Sequence, residues 1–353
     1  MKNLKDFEAP VAQIEKLSEL IFLSSVILGS AGEIVTMIGN AKNGKQIGGV
    51  GEIDLIGRLS QGCNGTFEKL QLQGVEKKWD LAEWEVPLEF CYDDIKDKLE
   101  GLSLKTGIAI EDMTSDEYMT DLVMPMLHKA INKMIWRFIW FNDTAAKNVA
   151  DGGVITDGLD VERFTINDGL FKRIFAIMAA KPGQYVAITA NAKPTLTEQR
   201  SALYTKGVAT GIMDAMIAAK SPKMGSKENV SFKMTEAFAE ALRWDLKQCN
   251  YGDMVYTEVK DGVKLTKYAG YDVIILPIWD DMIGRYENLG ATYNKPYRVI
   301  LCAKGDLLAG TGSKNSLDEF RTGFDEKAGT NWYKAKDTIG TQTLEDDLII
   351  AAY

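Results

Sequence analysis

Hydrophobic and polar residues alternate most regularly in residues 84–90. The two phases of the alternation are Trp84, Val86, Leu88 and Phe90 on one side and Glu85, Pro87 and Glu89 on the other. This pattern predicts a strand with one apolar face and one polar face. Pro87 cannot donate a hydrogen bond to a neighbouring strand, which indicates an edge strand or a bulge. The strand is therefore expected to cover an apolar surface at the margin of a sheet.

Residues 114–142 predict a long amphipathic helix, here called the spine helix. Thr114 and Glu117 have the spacing of a capping box at its start. Apolar residues then recur every three or four positions: Met119, Leu122, Val123, Met126, Leu127, Ala130, Ile131, Met134, Ile135, Phe138 and Ile139. Such a stripe is typical of a helix that buries one broad face. Pro125 removes one backbone hydrogen bond and predicts a kink or a late first turn.

Residues 44–74 are unusually rich in glycine. Eight glycines fall in this segment, at positions 44, 48, 49, 51, 57, 62, 65 and 74. Alternation at residues 70–73 favours two extended strands joined near residues 61–65. Glycine buries no side chain, and a two-stranded ribbon alone is marginal in water. The hairpin therefore needs a surface to lie on, either in its own domain or in a neighbouring subunit.

The rest of the chain predicts a mixture of helices and strands. Residues 1–43 are expected to form an arm, with a polar helical stretch at 4–23 and a short strand at 33–38. Further helices are predicted at 168–180, 195–218 and 234–248. Strands are predicted at 185–189, within 254–276 with a turn at 261–262, at 297–302 and at 347–352, whereas 310–315 is expected to be a loop. No internal repeat is present.

Composition and charge narrow the classes of protein that fit. The 353 residues are 46% hydrophobic and 26% charged, as in globular proteins of about two domains. A net charge of -9 argues against a protein that wraps nucleic acid, because neutralising phosphates needs clustered lysine and arginine. The longest purely basic run, Lys77 and Lys78, is interpreted as a solvated turn.

The cysteines and the apolar runs give no sign of a metal site, a disulfide framework or a membrane anchor. The four cysteines, Cys63, Cys91, Cys249 and Cys302, are far apart and form no CxxC pair. Residues 20–29 are apolar but follow acidic residues, whereas the apolar region of a signal peptide follows positively charged residues. No apolar run approaches the length of a membrane span. The chain is therefore expected to be soluble and to stay where it is made, with reduced thiols.

No grouping of catalytic residues emerges. The single histidine, His128, lies in the spine helix without a partner signature, and it is interpreted as structural. The carboxylate pairs Asp93–Asp94, Asp280–Asp281 and Asp346–Asp347 are interpreted as solvated turns or as halves of ion pairs between subunits. We therefore predict no catalytic, cofactor-binding or metal-binding residues, and no enzyme.

The nearest approach to a nucleotide site is residues 39–46, which follow a predicted strand with the glycine spacing and lysine of a Walker A loop. Gln46 stands where a serine or threonine should bind magnesium, and the glycine-rich residues 47–51 cannot begin the helix that cradles a phosphate. The match is interpreted as a coincidence. The glycine-rich residues 305–314 lack the Gly-Lys-Ser/Thr ending and are predicted to be a turn-rich loop.

The order of these elements resembles the major capsid protein of tailed bacteriophages. The resemblance covers nearly the whole chain as an order of elements, and it is most specific in the last third. There Gly270-Tyr271-Asp272-Val273, then Leu276-Pro277, then Ile300-Leu301 before Gly305-Asp306 are similar to the family's Gly-x-x-Val strand, proline, and hydrophobic strand ending in Gly-Asp.

The resemblance implies an α+β fold with an extended hairpin loop, a peripheral domain built on the spine helix, and an axial domain. Residues 1–43 would be the N-terminal arm and 44–80 the loop that lies across the next subunit. Residues 81–160, with the helix 114–142, would form the peripheral domain and 161–310 the axial domain. Return strands in 311–353 would complete the peripheral domain.

The resemblance also implies a function. The chain would self-assemble through hexamers and pentamers into an icosahedral shell that encloses double-stranded DNA without tight binding. It would be a virion capsid component assembled in the host cytoplasm, with scaffold, portal and decoration proteins as partners. The chain lacks the charged N-terminal scaffold domain of some members, and no lysine in the loop can be matched to the cross-linking chemistry of others.

Three alternatives stay open from the sequence. An encapsulin-like compartment would share the fold but enclose cargo enzymes. A nucleotide-binding protein would use residues 39–46. A tail component would form rings or tubes without closed shells.

Overall fold

The computed structural model describes residues 34–48, 76–90, 124–249, 257–258, 263–312, 319–325, 327 and 330–353. Several predictions lie outside these residues: the helix at 4–23, the hairpin turn at 61–65, Cys63, Cys91, Asp93–Asp94, the helix start at 114–123 and the turn at 261–262.

Fourteen strands and six α-helices occur in the described residues. The strands are β1 (Thr36–Ile38), β2 (Gln46–Gly48), β3 (Glu76–Lys78), β4 (Ala82–Phe90), β5 (Tyr185–Val186), β6 (Val230–Met234), β7 (Thr257–Glu258), β8 (Lys264–Tyr268), β9 (Tyr271–Ile275), β10 (Val299–Ala303), β11 (Leu307–Thr311), β12 (Glu319–Asp325), β13 (Thr330–Thr343) and β14 (Ile349–Ala352). The helices are α1 (Met124–Trp140), α2 (Leu170–Ala180), α3 (Leu196–Leu203), α4 (Val208–Ala218), α5 (Glu236–Gln248) and α6 (Pro277–Tyr286). The predicted α+β class is confirmed.

A mixed seven-stranded sheet forms the larger layer of the molecule. Its strand order is β5-β14-β10-β6-β9-β8-β7. The contacts β5–β14 and β6–β9 are parallel, and the remaining neighbours are antiparallel. The central strands are rich in Val, Ile and Leu, as expected where both faces of a sheet are covered.

Helices and hydrophobic clusters cover both faces of this sheet. Along β10, Val299 and Leu301 pack into a cluster that contains residues of α4 and α5. Ile300 and Cys302 alternate with them and pack into a second cluster that contains residues of α1, α2 and α6. The period-two alternation therefore assigns each side chain to one of two cores.

A five-stranded sheet lies beside the second cluster. Its path is β1-β11-β13-β12, and β4 pairs with β13 antiparallel. Within the described residues β4 pairs with no other strand, which agrees with the edge position that Pro87 predicts. Trp84, on the apolar phase of β4, is 4% exposed, and its ring centroid lies 6.0 Å from that of Phe138. The strand thus covers the spine helix.

The described part of the spine helix is α1, which ends at Trp140 and not at Asn142. Its inward positions include Ile131, 2% exposed, and Ile139, fully buried. Ala130 on the same helix is exposed. None of the helices in the described ranges is long and apolar enough to cross a membrane.

Two predicted elements differ from the structure. The helix predicted at 195–218 is two helices, α3 and α4, because Gly207 adopts φ +82° and its N–H donates to buried Asp245 Oδ1 at 2.6 Å. Asp245 Oδ2 also accepts from Thr210 N at 2.9 Å, so this carboxylate binds the first turn of α4 and sets where that helix begins.

The second difference concerns residues 305–314. The glycine-rich sequence predicts a loop, but Leu307–Thr311 forms strand β11, buried throughout and paired with β1 and β13. Burial between two strands outweighs the weak intrinsic preference of glycine for a strand.

Sheet membership refines the predicted division of the chain. β13 lies in the five-stranded sheet with the spine helix against it. β14, also within 311–353, pairs instead with β10 and β5 in the seven-stranded sheet. Residues 349–352 therefore belong with the segment predicted as axial, and the domain boundaries themselves stay predictions.

Candidate functional site

The Walker-like residues 39–46 form a closed turn and not a phosphate loop. Ala41 N donates to Thr311 O at 2.9 Å, Gly44 N to Trp79 O at 2.9 Å, and Lys45 N to Lys42 O at 3.0 Å. These backbone donors are therefore already occupied by carbonyl groups. The segment continues into strand β2 and not into a helix, so it lacks the helix N-terminus that binds phosphate.

The same turn leads into the glycine-rich segment through a short ribbon, defined as β2 and β3. The two strands are antiparallel, with Gln46 opposite Lys78 and Ile47 opposite Lys77. They bracket residues 49–75, so the chain enters and leaves that segment at one place. The predicted hairpin is supported at its base; its other end lies outside the described residues.

A buried tryptophan fixes the base of the ribbon. Trp79 directly follows β3 and is 4% exposed. The backbone N–H of Trp79 donates to Lys45 O at 3.0 Å. Its ring packs with Ala41, Ile47 and Leu308 in a small separate cluster. A ribbon without a core of its own is thereby attached to the five-stranded sheet.

Gly310 in β11 makes room for this tryptophan. A Cβ at position 310 would lie 2.9 Å from Trp79 Cζ3 and 3.0 Å from Ala41 Cβ. Gly340, in the adjacent β13, likewise faces Asp80, whose carbonyl oxygen would lie 2.5 Å from an added Cβ. Two strand glycines thus mark a close approach of the segment that follows the ribbon.

Lys77 attaches the ribbon to the end of β13. Its Nζ donates to Thr343 O at 2.9 Å, to Thr343 Oγ1 at 2.6 Å and to Asp346 Oδ1 at 2.5 Å. The lysine side chain is 14% exposed and that of Asp346 is 31% exposed. Such partial burial strengthens the ion pair relative to one on the open surface. We call Lys77, Trp79, Gly310, Thr343 and Asp346 the ribbon anchor.

A buried carboxylate lies beside the ribbon anchor. Asp306 is 1% exposed, and its Oδ1 accepts from Glu345 N at 2.7 Å. Its Oδ2 accepts no hydrogen bond from the described residues. Burial raises the pKa of Asp306 to about 7, although the Glu345 hydrogen bond and Lys77 oppose the rise. The turn that carries Asp346 is therefore held by a group that titrates near neutrality.

The prediction that Lys77 lies in a solvated turn is wrong, whereas Asp346 and Asp347 do lie in a short 3-10 turn, with side chains 31% and 50% exposed. Lys77 is not in a solvated turn but in β3, with a half-buried side chain. Asp346 pairs with Lys77, and Asp347 pairs with Lys181 at 2.5 Å within the same chain. These carboxylates therefore form ion pairs within their own chain.

Asp280 and Asp281 also have structural roles. Asp280 accepts from Glu236 N at 2.6 Å and Ala237 N at 3.0 Å, which caps the start of α5. Burial raises the pKa of Asp280 to about 6. Asp281 binds Lys133 at 3.1 Å and Arg285 at 2.7 Å.

No metal-binding group is found in the part of the chain that the structure describes. There, no group of three or more His, Cys, Asp or Glu side chains could hold a metal ion. His128 lies within α1, and its side chain is not among those described. Cys302 is buried and Cys249 is half-buried, both as free thiols.

Comparison with known proteins gives matches among solved structures only. No protein-family model matches the sequence, and the search of curated proteins gave no match. A chain of the satellite phage P4 procapsid, in a structure that includes the size determination (Sid) protein, is similar with a TM-score of 0.49 and 9% identity, covering 97% of this chain and 96% of that one.

Two further similar structures are also particles. A capsid chain of the native GTA particle has a TM-score of 0.46 and 13% identity, covering 93% of this chain and 89% of that one. The virus-like particle from Pyrococcus furiosus has a TM-score of 0.42 and 10% identity, covering 97% and 100%. At identities of 9–13% these likenesses concern the fold alone.

Proposed function

We propose that this chain is a shell-building protein, the major capsid protein of a tailed-phage type of particle, which self-assembles through hexamers and pentamers into an icosahedral shell. The observation that carries the proposal is the ribbon anchor. Both strands that bracket the glycine-rich segment are held on the five-stranded sheet: Ile47 of β2 packs in the cluster with Trp79, and Lys77 of β3 binds Thr343 and Asp346. From this fixed base the segment would extend to a neighbouring subunit.

The length of the segment suits a contact between subunits. Residues 49–75 contain 27 positions, from 75 minus 48. Folded back at the predicted turn near 61–65, each arm of about 12 residues would reach roughly 40 Å. That is enough to lie across a neighbouring copy, where glycine lets two backbones approach closely. Contacts of this kind join two different surfaces of successive copies, so they are heterologous. They generate a closed ring when the rotation from one copy to the next closes on itself.

The two sheets would belong to two domains with different roles in the subunit. The five-stranded sheet with α1 would form the peripheral domain, from which the ribbon leaves. The seven-stranded sheet with its two helical layers would form the axial domain that meets its copies around five-fold and six-fold axes. The role is structural, with its own copies as the main partners.

The contents and the further partners of the shell are also part of the proposal. The net charge of -9 favours DNA held by enclosure over DNA held by tight contact. Scaffold, portal and decoration proteins would join the shell in the host cytoplasm, and the finished protein would reside in the virion capsid.

Electron microscopy of the purified protein tests the proposal. The protein would be concentrated at low and at moderate salt, separated by size exclusion and imaged by negative stain. We expect closed shells, or rings of five and six. Open tubes would reject the proposal in favour of a tail component, and a monomer under every condition would reject self-assembly without a scaffold protein. Particles from native expression that hold protein cargo and no nucleic acid would indicate a compartment instead.

A further inference from the structure

A lysine lies in the interior of the seven-stranded sheet without a charged partner. Lys233, in β6, is 1% exposed. Its Nζ contacts Ser231 Oγ at 2.9 Å and Cys302 Sγ at 3.1 Å. Among the described residues no carboxylate pairs with it. A buried ammonium served only by a hydroxyl and a thiol is costly, because neither partner carries the opposite charge.

The pairing of the strands holds this lysine against the cysteine. β6 and β10 are antiparallel neighbours, with Ser231 opposite Cys302 and Lys233 opposite Ile300. Lys233 and Cys302 are therefore diagonal neighbours on one face, a separation that a long side chain spans. Cys302 is fully buried and Lys233 is nearly so. The amine and the sulfur thus face each other in a site closed to solvent.

We propose that Lys233 and Cys302 become joined by a covalent bridge of one oxygen atom, Nζ–O–Sγ, when the folded protein meets molecular oxygen. In this reaction the ammonium group of Lys233 releases one proton and loses one further N–H hydrogen, and the thiol loses its S–H hydrogen. One atom of O₂ bonds to both Nζ and Sγ, and the other leaves as water with the two hydrogens. The nitrogen and the sulfur are each oxidised by two electrons, and O₂ is reduced by four.

The burial of the site explains why this product is favoured over ordinary thiol chemistry. Burial raises the pKa of the Cys302 thiol, an effect that Lys233 opposes. The sulfur is thus shielded from dissolved thiols and disulfides, which react through thiolates. A small uncharged oxidant is required, and the nearest nucleophile is the lysine amine. The bridge is neutral, so its formation removes the buried charge.

The bridge would connect the two central strands of the sheet. A cross-link between residues far apart in sequence lowers the conformational entropy of the unfolded chain more than that of the folded one. The oxidised protein is therefore expected to unfold at a higher temperature than the same protein prepared without oxygen. Reduction with dithiothreitol in denaturant, followed by refolding without oxygen, should reverse the difference.

Mass spectrometry of the denatured chain tests the bridge. Protein purified in air should be about 14 Da heavier than protein purified anaerobically, since one oxygen is gained and two hydrogens are lost. Proteolysis should give one peptide pair joining position 233 to position 302. Dithiothreitol should separate the pair. Lys233→Met and Cys302→Ala should abolish the added mass, and Cys249→Ser should retain it.

Two results would overturn the proposal. The first is an unchanged mass after full exposure to air. The second is a gain of about 16 Da that fragmentation places on Cys302 itself and that persists in Lys233→Met, which would be oxidation of the cysteine alone. If the two variants fail to fold, the peptide map of the unaltered protein decides. The readout is made on denatured single chains, so it does not depend on whether the protein forms shells.

Discussion

The ring of Trp79 occupies the space that a side chain at position 310 would fill, 2.9 Å from the place of a Cβ on Gly310. The tryptophan is buried among Ala41, Ile47 and Leu308 and has little freedom to move away. One methyl group at position 310 would therefore push the base of the ribbon off the five-stranded sheet.

Gly310→Ala tests this close approach. We expect a loss of about 1–3 kcal/mol in the free energy of unfolding, as for other additions to a packed core. Urea unfolding followed by tryptophan fluorescence measures it. Gly211→Ala is the matched control, because that glycine lies within α4 with no atom within 4 Å of an added Cβ. The free energy of unfolding of this control should rise by roughly 0.5–1 kcal/mol. Equal stability of the two variants would contradict the proposed packing.

Lys77→Met tests the polar half of the ribbon anchor. The variant keeps the aliphatic stem but loses the contacts with Thr343 and Asp346. We expect a modest loss of stability, roughly 0.5–2 kcal/mol, and faster proteolysis within residues 49–75. Limited trypsin digestion followed over time measures the second effect. Lys78→Met is the control, since Lys78 is exposed. If both variants are digested at the same rate, Lys77 does not hold the ribbon.

Asp306 should make stability depend on pH near neutrality. Its pKa in the folded protein, about 7, is above the ordinary value of 3.8. The folded protein therefore binds a proton more tightly than the unfolded chain, and this stabilisation is present below pH 4 and lost as the pH rises through 7. Between pH 6 and 7.5 the free energy of unfolding should fall by up to about 1 kcal/mol from this group.

Asp306→Asn should flatten that fall, because an amide does not ionise. Asp347→Asn is the control with the opposite sign. The pKa of Asp347 is lowered by its hydrogen bond with Lys181, so its contribution is lost only as the pH falls through acidic values. Denaturation curves at pH 6 and 7.5 distinguish Asp306→Asn from Asp347→Asn. An unaltered slope in Asp306→Asn would show that other groups govern this range.

The sequence predicted the elements better than their contacts. Glycine density revealed the ribbon, and strict alternation revealed β4. The anchor was missed because it depends on Trp79 meeting Gly310, two positions that are distant in sequence and show no local pattern. The same limit explains β11, whose glycines favour a loop until burial between two strands is known. The break before α4 depends on Asp245, which comes from a later helix.

Ile131→Asp tests the buried face of the spine helix, which the periodicity predicted and the structure places in the core at 2% exposure. An unpaired carboxylate there should prevent folding. Ala130→Asp, at an exposed neighbouring position of the same helix, should fold normally. Circular dichroism and soluble yield compare the two variants. A folded Ile131→Asp protein would show that this face is not part of a packed core.

The role of residues 49–75 is tested by replacing them with a short Gly-Ser linker between β2 and β3. Because the ribbon anchor lies outside the replaced segment, we expect the subunit to fold with nearly unchanged thermal stability. It should fail to form closed shells, since the contact that reaches a neighbouring copy is gone. Circular dichroism and negative-stain microscopy of the same preparation separate folding from assembly. A folded variant that still closes shells would assign the contact between subunits to another surface, whereas an unfolded variant would show that the segment completes the core of its own subunit.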